Sequence, residues 1–324
     1  MRRRTLLLNG AICLVSLLVF CGVGEIAVRI YTRLYPVYDV EMARYAKEIK
    51  ETAANPRIAH RHRPSSSAHL MGVDVHINSD GLRDREYAVE RSPSYRMVFL
   101  GDSLTFGWGV AKPDTFEELL ESEINRRLPV EILNFGVGNY NTEQEVHLFI
   151  DKGLKYKPDK VVVFWFVNDA EPTPGGSEWS VAQHSELVSF TWSRARRLMN
   201  KLGLSAPYTT YYRSLYQPDA AGWRAAREAL LLLKQLCDGG GIELQVVLLP
   251  ELHDLDSYPF AEEHATMASF LRANGIAHRD LLPNFQGAHD PKRLWVAPDD
   301  AHPNAIVHRR IARHALDFIL AVER

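Results

Sequence analysis

Four short stretches of this chain hold the residue types that acyl transfer needs. "FLGDSLTFGWGV" sets Ser103 between an apolar run and a patch of glycines, and "NFGVGNYN" carries Gly136 and Gly138. Asn168 and Asp169 follow "KVVVFWFV", and "DDAHPN" places Asp299 and Asp300 ahead of His302. Taken singly, each has an ordinary structural reading: a serine opening a helix is commonly an N-cap, a loop glycine serves a turn, and Asn-Asp is a frequent loop pair. Taken together they supply a hydroxyl nucleophile, an imidazole base, an orienting carboxylate and donors for an oxyanion. A serine hydroxyl is a weak nucleophile near neutral pH, so an imidazole must take its proton as it attacks.

Such a set works only if the fold brings it to one place. From Tyr95 onward, short apolar runs ("RMVFLG", "VEILNFGV", "KVVVFWFV", "ELQVVLLP" and the weaker "AHRDLL") alternate with amphipathic segments at Asp114–Arg127, Thr142–Tyr156, Ala220–Cys237, Ala261–Asn274 and Asn304–Val322. Near-continuous apolar strands separated by helices imply a parallel sheet buried on both faces, a doubly wound three-layer α/β/α architecture. Ligands in such sheets bind beyond the carboxyl ends of the strands, and all four stretches fall there.

At this level the chain resembles the SGNH or GDSL hydrolase family: "GDSL" at Gly101–Leu104, the glycine block at Gly138, the asparagine Asn168 and "DxxH" from Asp299 to His302 occur in the family's order. "INSDGLRDREY", "GWGV" and "GNYNTEQE" further resemble membrane-anchored bacterial members. The resemblance implies a flavodoxin-like fold with Ser103 as nucleophile, His302 as general base and Asp299 as its orienting acid. Asp300 is the rival for that last role, and the family spacing selects Asp299. It further implies an oxyanion hole made by the backbone N–H of Ser103, the backbone N–H of Gly138 and the Asn168 side chain, with Gly136 the alternative in the same loop. The third block departs from the family's Gly-x-Asn-Asp, since Phe166 stands where the glycine is usual. No cofactor and no metal are expected. Neither nucleotide-binding glycine motif follows the first strand, and "HRHR" at His60–Arg63 reads as a solvated basic face, no carboxylate or cysteine cluster accompanying it.

Charge and the amino terminus bound the setting. A formal net charge of -2 leaves no basic surplus to grip phosphates, so nucleic acid is not an expected partner. Cys237 stands apart from Cys13 and Cys21, so no disulfide is expected in the body of the protein. Arg2–Arg4 precede an uncharged apolar run to Gly24, about the ~20 residues that a bilayer span requires. Charge ahead of the span keeps the amino terminus cytoplasmic, so the expectation is a single-pass inner-membrane anchor (1–31), a stalk and extension (32–94) and a periplasmic catalytic domain (95–324). Residues 171–218, with Trp179, Trp192, Tyr208, Tyr211, Tyr212 and Tyr216, form an aromatic insertion that reads as a cap over the site or as an accessory subdomain. The expected activity is hydrolysis of short-chain acyl esters, acetyl above all, on carbohydrate. O-acyl transfer to an extracytoplasmic polysaccharide is the alternative, and an inactive envelope scaffold the third reading.

Overall fold

The computed structural model describes residues 2–90, 94–175, 185–204, 206–287 and 290–321, so Trp179, with the rest of 176–184, and Val322 lie outside the described residues. In chain order the helices and strands are α1 (Arg2–Leu34), α2 (Tyr38–Glu48), β1 (Lys50–Thr52), β2 (His60–His62), β3 (Ser67–Leu70), β4 (Val73–His76), β5 (Tyr95–Gly101), α3 (Ser103–Phe106), α4 (Phe116–Ile124), β6 (Val130–Asn134), α5 (Thr142–Leu148), β7 (Lys160–Trp165), α6 (Glu186–Lys201), α7 (Tyr208–Leu215), α8 (Ala221–Gly240), β8 (Glu243–Leu248), α9 (Ala261–Ala273), β9 (Ala277–Asp280), β10 (Trp295–Ala297), β11 (Asp300–Pro303) and α10 (Ala305–Leu320).

They divide into two compact units. The first holds α1, α2 as far as Lys47, and α6. Helix α1 has 33 residues and from Arg4 to Leu34 is long and apolar enough to cross a bilayer. Helix α6 docks on α1 through its own amino terminus: the Glu25 carboxylate accepts the Ser185 hydroxyl at 2.8 Å and the backbone N–H groups of Glu186 and Leu187 at 3.1 and 3.0 Å. A carboxylate there satisfies amides that a helix start leaves unpaired. Arg44 then grips Glu186 with two donors, at 3.0 and 2.6 Å.

The second unit is the α/β body. Its five-stranded sheet is parallel throughout, in the order β6-β5-β7-β8-β9. Alternation builds both faces: Val98 and Leu100 of β5 and Val161, Val163 and Trp165 of β7 pack with α5, α8 and α9, whereas Met97, Phe99, Val162 and Phe164 pack with α4 and α10. The helices answer at i, i+4 spacing, as in Phe116, Leu120 and Ile124 or Val307, Ile311 and Ala315. This is the doubly wound parallel sheet that the sequence implies.

Three differences from the sequence reading bear on the site. The extension drawn as 32–94 is split, because its part from Glu48 to residue 94 belongs with the α/β body. The insertion drawn as 171–218 is split as well: α6 belongs to the first unit, while α7 belongs to the body, where Tyr216 donates its hydroxyl to Val167 O at 3.0 Å and Arg213 donates to Pro259 O at 2.8 Å. Finally, β10 and β11 pair as an antiparallel hairpin just before α10, with Trp295 opposite Pro303. Strands of three and four residues leave too little periodicity to read from sequence.

Candidate active site

Ser103 is the first residue of the short helix α3, at the carboxyl end of β5, which lies between β6 and β7 in the sheet. It is not the cap. Asp102 is, its carboxylate accepting the Leu104 N–H at 2.8 Å. The serine hydroxyl is thereby left to face His302, whose Nε2 lies 2.8 Å from Ser103 Oγ.

The imidazole is oriented from its other side, and here the structure corrects the sequence reading. His302 Nδ1 lies 2.5 Å from Asp300 Oδ1, so Asp300 occupies the position that motif spacing gives to Asp299. The reason is the strand. Asp300 and His302 are i and i+2 on β11 and so project to one face, whereas Asp299 precedes the strand at an odd offset from His302. Asp300 also accepts the His302 backbone N–H at 3.1 Å, and its Oδ2 accepts the indole N–H of buried Trp108 at 2.8 Å.

These contacts set the electrostatics. Burial disfavours the His302 imidazolium, but the Asp300 charge, its hydrogen bond and the more remote Asp102 carboxylate together raise the His302 pKa above the ordinary 6.5. Burial likewise works against ionised Asp300, and is outweighed by His302 and the indole and backbone donors, which hold its pKa below the ordinary 3.8. The pair is built to stabilise an imidazolium next to Ser103.

The turn that carries Trp108 is pinned from outside the sheet. Buried Arg83, from "NSDGLRD", donates to Phe106 O at 2.9 Å, Gly107 O at 2.6 Å and Val110 O at 2.7 Å, spanning the "GWGV" turn. Gly107 has φ +81°, and a Cβ there would lie 2.6 Å from Thr115 Cγ2, so this position admits no side chain.

The donors expected for an oxyanion gather at the same strand ends. Val137 N–H donates to Gly101 O at 3.1 Å, which lays the "GVG" loop beside the turn of Ser103. Gly136 is removed as a candidate: its N–H is spent on Asn134 Oδ1 at 2.8 Å, and a Cβ on it would sit 2.2 Å from the Phe106 nitrogen, so it is a packing glycine. The Gly138 carbonyl is held by Lys50 Nζ at 2.6 Å and His60 Nε2 at 3.2 Å. Asn168, in the turn after β7, donates one amide N–H to Asp102 Oδ2 at 3.0 Å, and that same oxygen lies 3.5 Å from Ser103 Oγ. Phe166 has an extended backbone, φ -131°, so the family's glycine is not required at this position. Its partly buried ring packs against both core clusters.

Two further carboxyls lie behind Asn168. Asp169 accepts the Thr142 hydroxyl at 3.1 Å, while neither oxygen of buried Glu145 has a hydrogen-bond partner among the described residues. Burial, and then the Asp169 and Asp102 charges, push Glu145 well above the ordinary carboxylate range; burial and Asp102 do the same to Asp169. Sequence reasoning missed this pair and also the roles of Arg83, Trp108, Lys50 and His60. The stretch read as a solvated basic face contains strand β2, with His62 buried and its Nδ1–H donating to Gly81 O at 3.1 Å.

Residues 99–310 match the GDSL-like lipase/acylhydrolase family. No curated protein matches the chain. Among solved structures it is similar to a putative lipolytic protein of the G-D-S-L family from Desulfitobacterium hafniense (14% identity, 68% of this chain and 98% of that one, TM-score 0.44). A member of the same family from Veillonella parvula gives 15% identity over 71% and 100% of the two chains, with a TM-score of 0.44. A two-domain esterase active on acetylated mannans gives 15% identity over 69% and 48%, with a TM-score of 0.45. With all three TM-scores under 0.5, membership rests on the family match.

Proposed function

Because the chain belongs to the GDSL-like lipase/acylhydrolase family and is a hydrolase of esters, we propose that it cleaves short-chain acyl esters of carbohydrate through an acyl-enzyme on Ser103. The observation that carries this reading is the run of contacts from Ser103 Oγ to His302 Nε2 and from His302 Nδ1 to Asp300, at 2.8 and 2.5 Å. His302 takes the serine proton as Oγ attacks the acyl carbon. Asp300 fixes the Nδ1–H tautomer and stabilises the imidazolium that results. The oxyanion is met by the backbone N–H of Ser103, the N–H of Gly138 and the second amide N–H of Asn168, the first being committed to Asp102. His302 then returns its proton to the departing alcohol. A water, deprotonated by the same imidazole, releases the acid and restores Ser103.

Carbohydrate as the alcohol side is supported by rings beside the hairpin that carries His302. His253 lies 4.8 Å from Trp295 of β10 and 5.1 Å from Tyr208 of α7, centroid to centroid, and Tyr208 and Tyr211 are both exposed. Amphipathic rings of this kind stack on sugar faces while keeping a polar edge in water. With Arg2–Arg4 ahead of the apolar stretch of α1, the reading places the α/β body on the extracytoplasmic side of the membrane.

The test is hydrolysis of 4-nitrophenyl acetate by the full chain in detergent. Ser103→Ala and His302→Ala should each lose on the order of 10³-fold or more in kcat/KM. Turnover that survives Ser103→Ala would overturn the assignment. Acetylated oligosaccharide compared with its deacetylated form then tests the substrate class: release of acetate from the first supports it, and hydrolysis confined to the aryl ester removes it.

A further inference from the structure

We propose that Lys50 and His60 are positioning residues of the oxyanion hole, a clamp on the Gly138 peptide supplied by a strand pair that precedes the family-matched region. The proposal rests on the serine esterase reading above and adds to it a role for residues which neither the motif blocks nor the family match includes.

The clamp follows from strand geometry. In the β1–β2 pair, Lys50 stands opposite His62 and Thr52 opposite His60, so these four share one face, while Glu51 and Arg61 pair with each other on the opposite face at 2.9 Å. The inward face meets the loop after β6. Lys50 Nζ donates to Gly138 O at 2.6 Å and to Asn139 Oδ1 at 2.9 Å, and His60 Nε2 reaches the same Gly138 carbonyl at 3.2 Å. Asn139 has φ +65°, a left-handed conformation that fixes which way the Gly138–Asn139 peptide points.

The contact is reciprocated along the loop. Tyr140 donates its hydroxyl to His60 O and packs edge-on against the His60 ring at 5.1 Å, and Gln144 donates to Ile58 O at 2.8 Å. Gly138, Asn139, Tyr140 and Gln144 of "GNYNTEQ" thus all contact the β1–β2 segment. Burial, and then the Lys50 charge, push the His60 pKa down to about 3, so the ring is neutral and its Nε2 carries the hydrogen that Gly138 O accepts. Burial pushes Lys50 down to about 7, yet ammonium and amine alike carry enough N–H groups for both acceptors.

Glycine has the loosest backbone of any residue, and an oxyanion donor must be held to within about 0.5 Å. Lys50 and His60 fix the Gly138–Asn139 peptide through its carbonyl, and Tyr140 N–H, donating to Val137 O at 3.2 Å, holds the Val137–Gly138 peptide that carries the donor N–H, so the glycine is restrained from both sides.

The test uses the full chain, with active serine counted by endpoint fluorophosphonate titration and rates on 4-nitrophenyl acetate expressed per titrated site. Lys50→Met and His60→Phe should each lower kcat roughly 10-fold or more while leaving KM within about threefold, since only the transition state carries the oxyanion. The fluorophosphonate inactivation rate should fall in parallel, and Lys50→Arg, which keeps two or more donors, should recover most of the loss. If Lys50→Met does not fold, Lys50→Gln and His60→Phe carry the same comparison. Values of kcat per titrated site within twofold of the parent would overturn the clamp, as would a loss confined to the number of titratable sites. A parent that neither turns over nor titrates would instead overturn the esterase reading itself.

Discussion

The choice between Asp300 and Asp299 can be decided by one pair of isosteric substitutions. Asp300 receives three donors, the His302 imidazole, the His302 backbone and the Trp108 indole, all on a buried carboxylate. In Asp300→Asn one oxygen becomes an NH₂ group that can no longer accept. Either the indole N–H meets another donor, or the imidazole turns to the tautomer that presents Nδ1 as acceptor and Nε2–H towards Ser103. The second outcome disables the base, and the loss for a wrong-tautomer triad is on the order of 10⁴-fold in kcat, or ~5.5 kcal/mol. Asp299 is partly exposed and one residue off the strand face, so Asp299→Asn should stay within about threefold. The assay is kcat/KM for 4-nitrophenyl acetate from pH 5.5 to 9. It carries a second signature: the parent should show an ascending limb above pH 6.5, because the neutral imidazole is the base and Asp300 raises its pKa. The residual activity of Asp300→Asn should rise at lower pH than the parent's, since burial then acts on the imidazole with less opposition. A large loss in Asp299→Asn beside a small one in Asp300→Asn would refute the geometric reasoning.

Two more outcomes follow from neighbouring contacts. Trp108→Phe keeps a ring in the "GWGV" turn but removes the donor to a charged, buried oxygen; a bond of that kind contributes about 1.5–3 kcal/mol, so kcat/KM should fall roughly 10- to 150-fold, and a change under twofold would show that the indole does not position Asp300. Glu145 has a raised pKa in the fold, so the stability it contributes is complete below the ordinary carboxylate value of 4.5 and is lost as pH climbs towards the folded value. Glu145→Gln should therefore melt progressively higher than the parent between pH 5 and pH 8, at roughly 2–4 °C per kcal/mol, with hydrolysis retained; a gap that does not widen with pH would mean that Glu145 is not the group being titrated.

What could be read from sequence differs between the sheet and the site. Strands such as "KVVVFWFV" announce themselves because burial on both faces makes them apolar at every position, and α4, α8, α9 and α10 repeat their apolar residues at helical spacing. Ser103, His302 and Asn168 were legible because each follows a strand or precedes a helix and belongs to a spaced motif. Asp299 against Asp300 was not, because the choice turns on a hairpin of three- and four-residue strands whose alternation is too short to see. Arg83, Lys50 and His60 were hidden for another reason: their work is done through backbone carbonyls of distant loops, and a carbonyl leaves no mark on the sequence. "HRHR" suggested solvent for want of any sign that β2 lies against the α/β body.

The most direct measurement of the central claim is where a fluorophosphonate attaches. After reaction with the full chain and proteolysis, the account predicts one adduct, on the peptide containing Ser103, and none in His302→Ala over the same interval. An adduct on a different residue, or an unlabelled chain that still hydrolyses 4-nitrophenyl acetate, would contradict it.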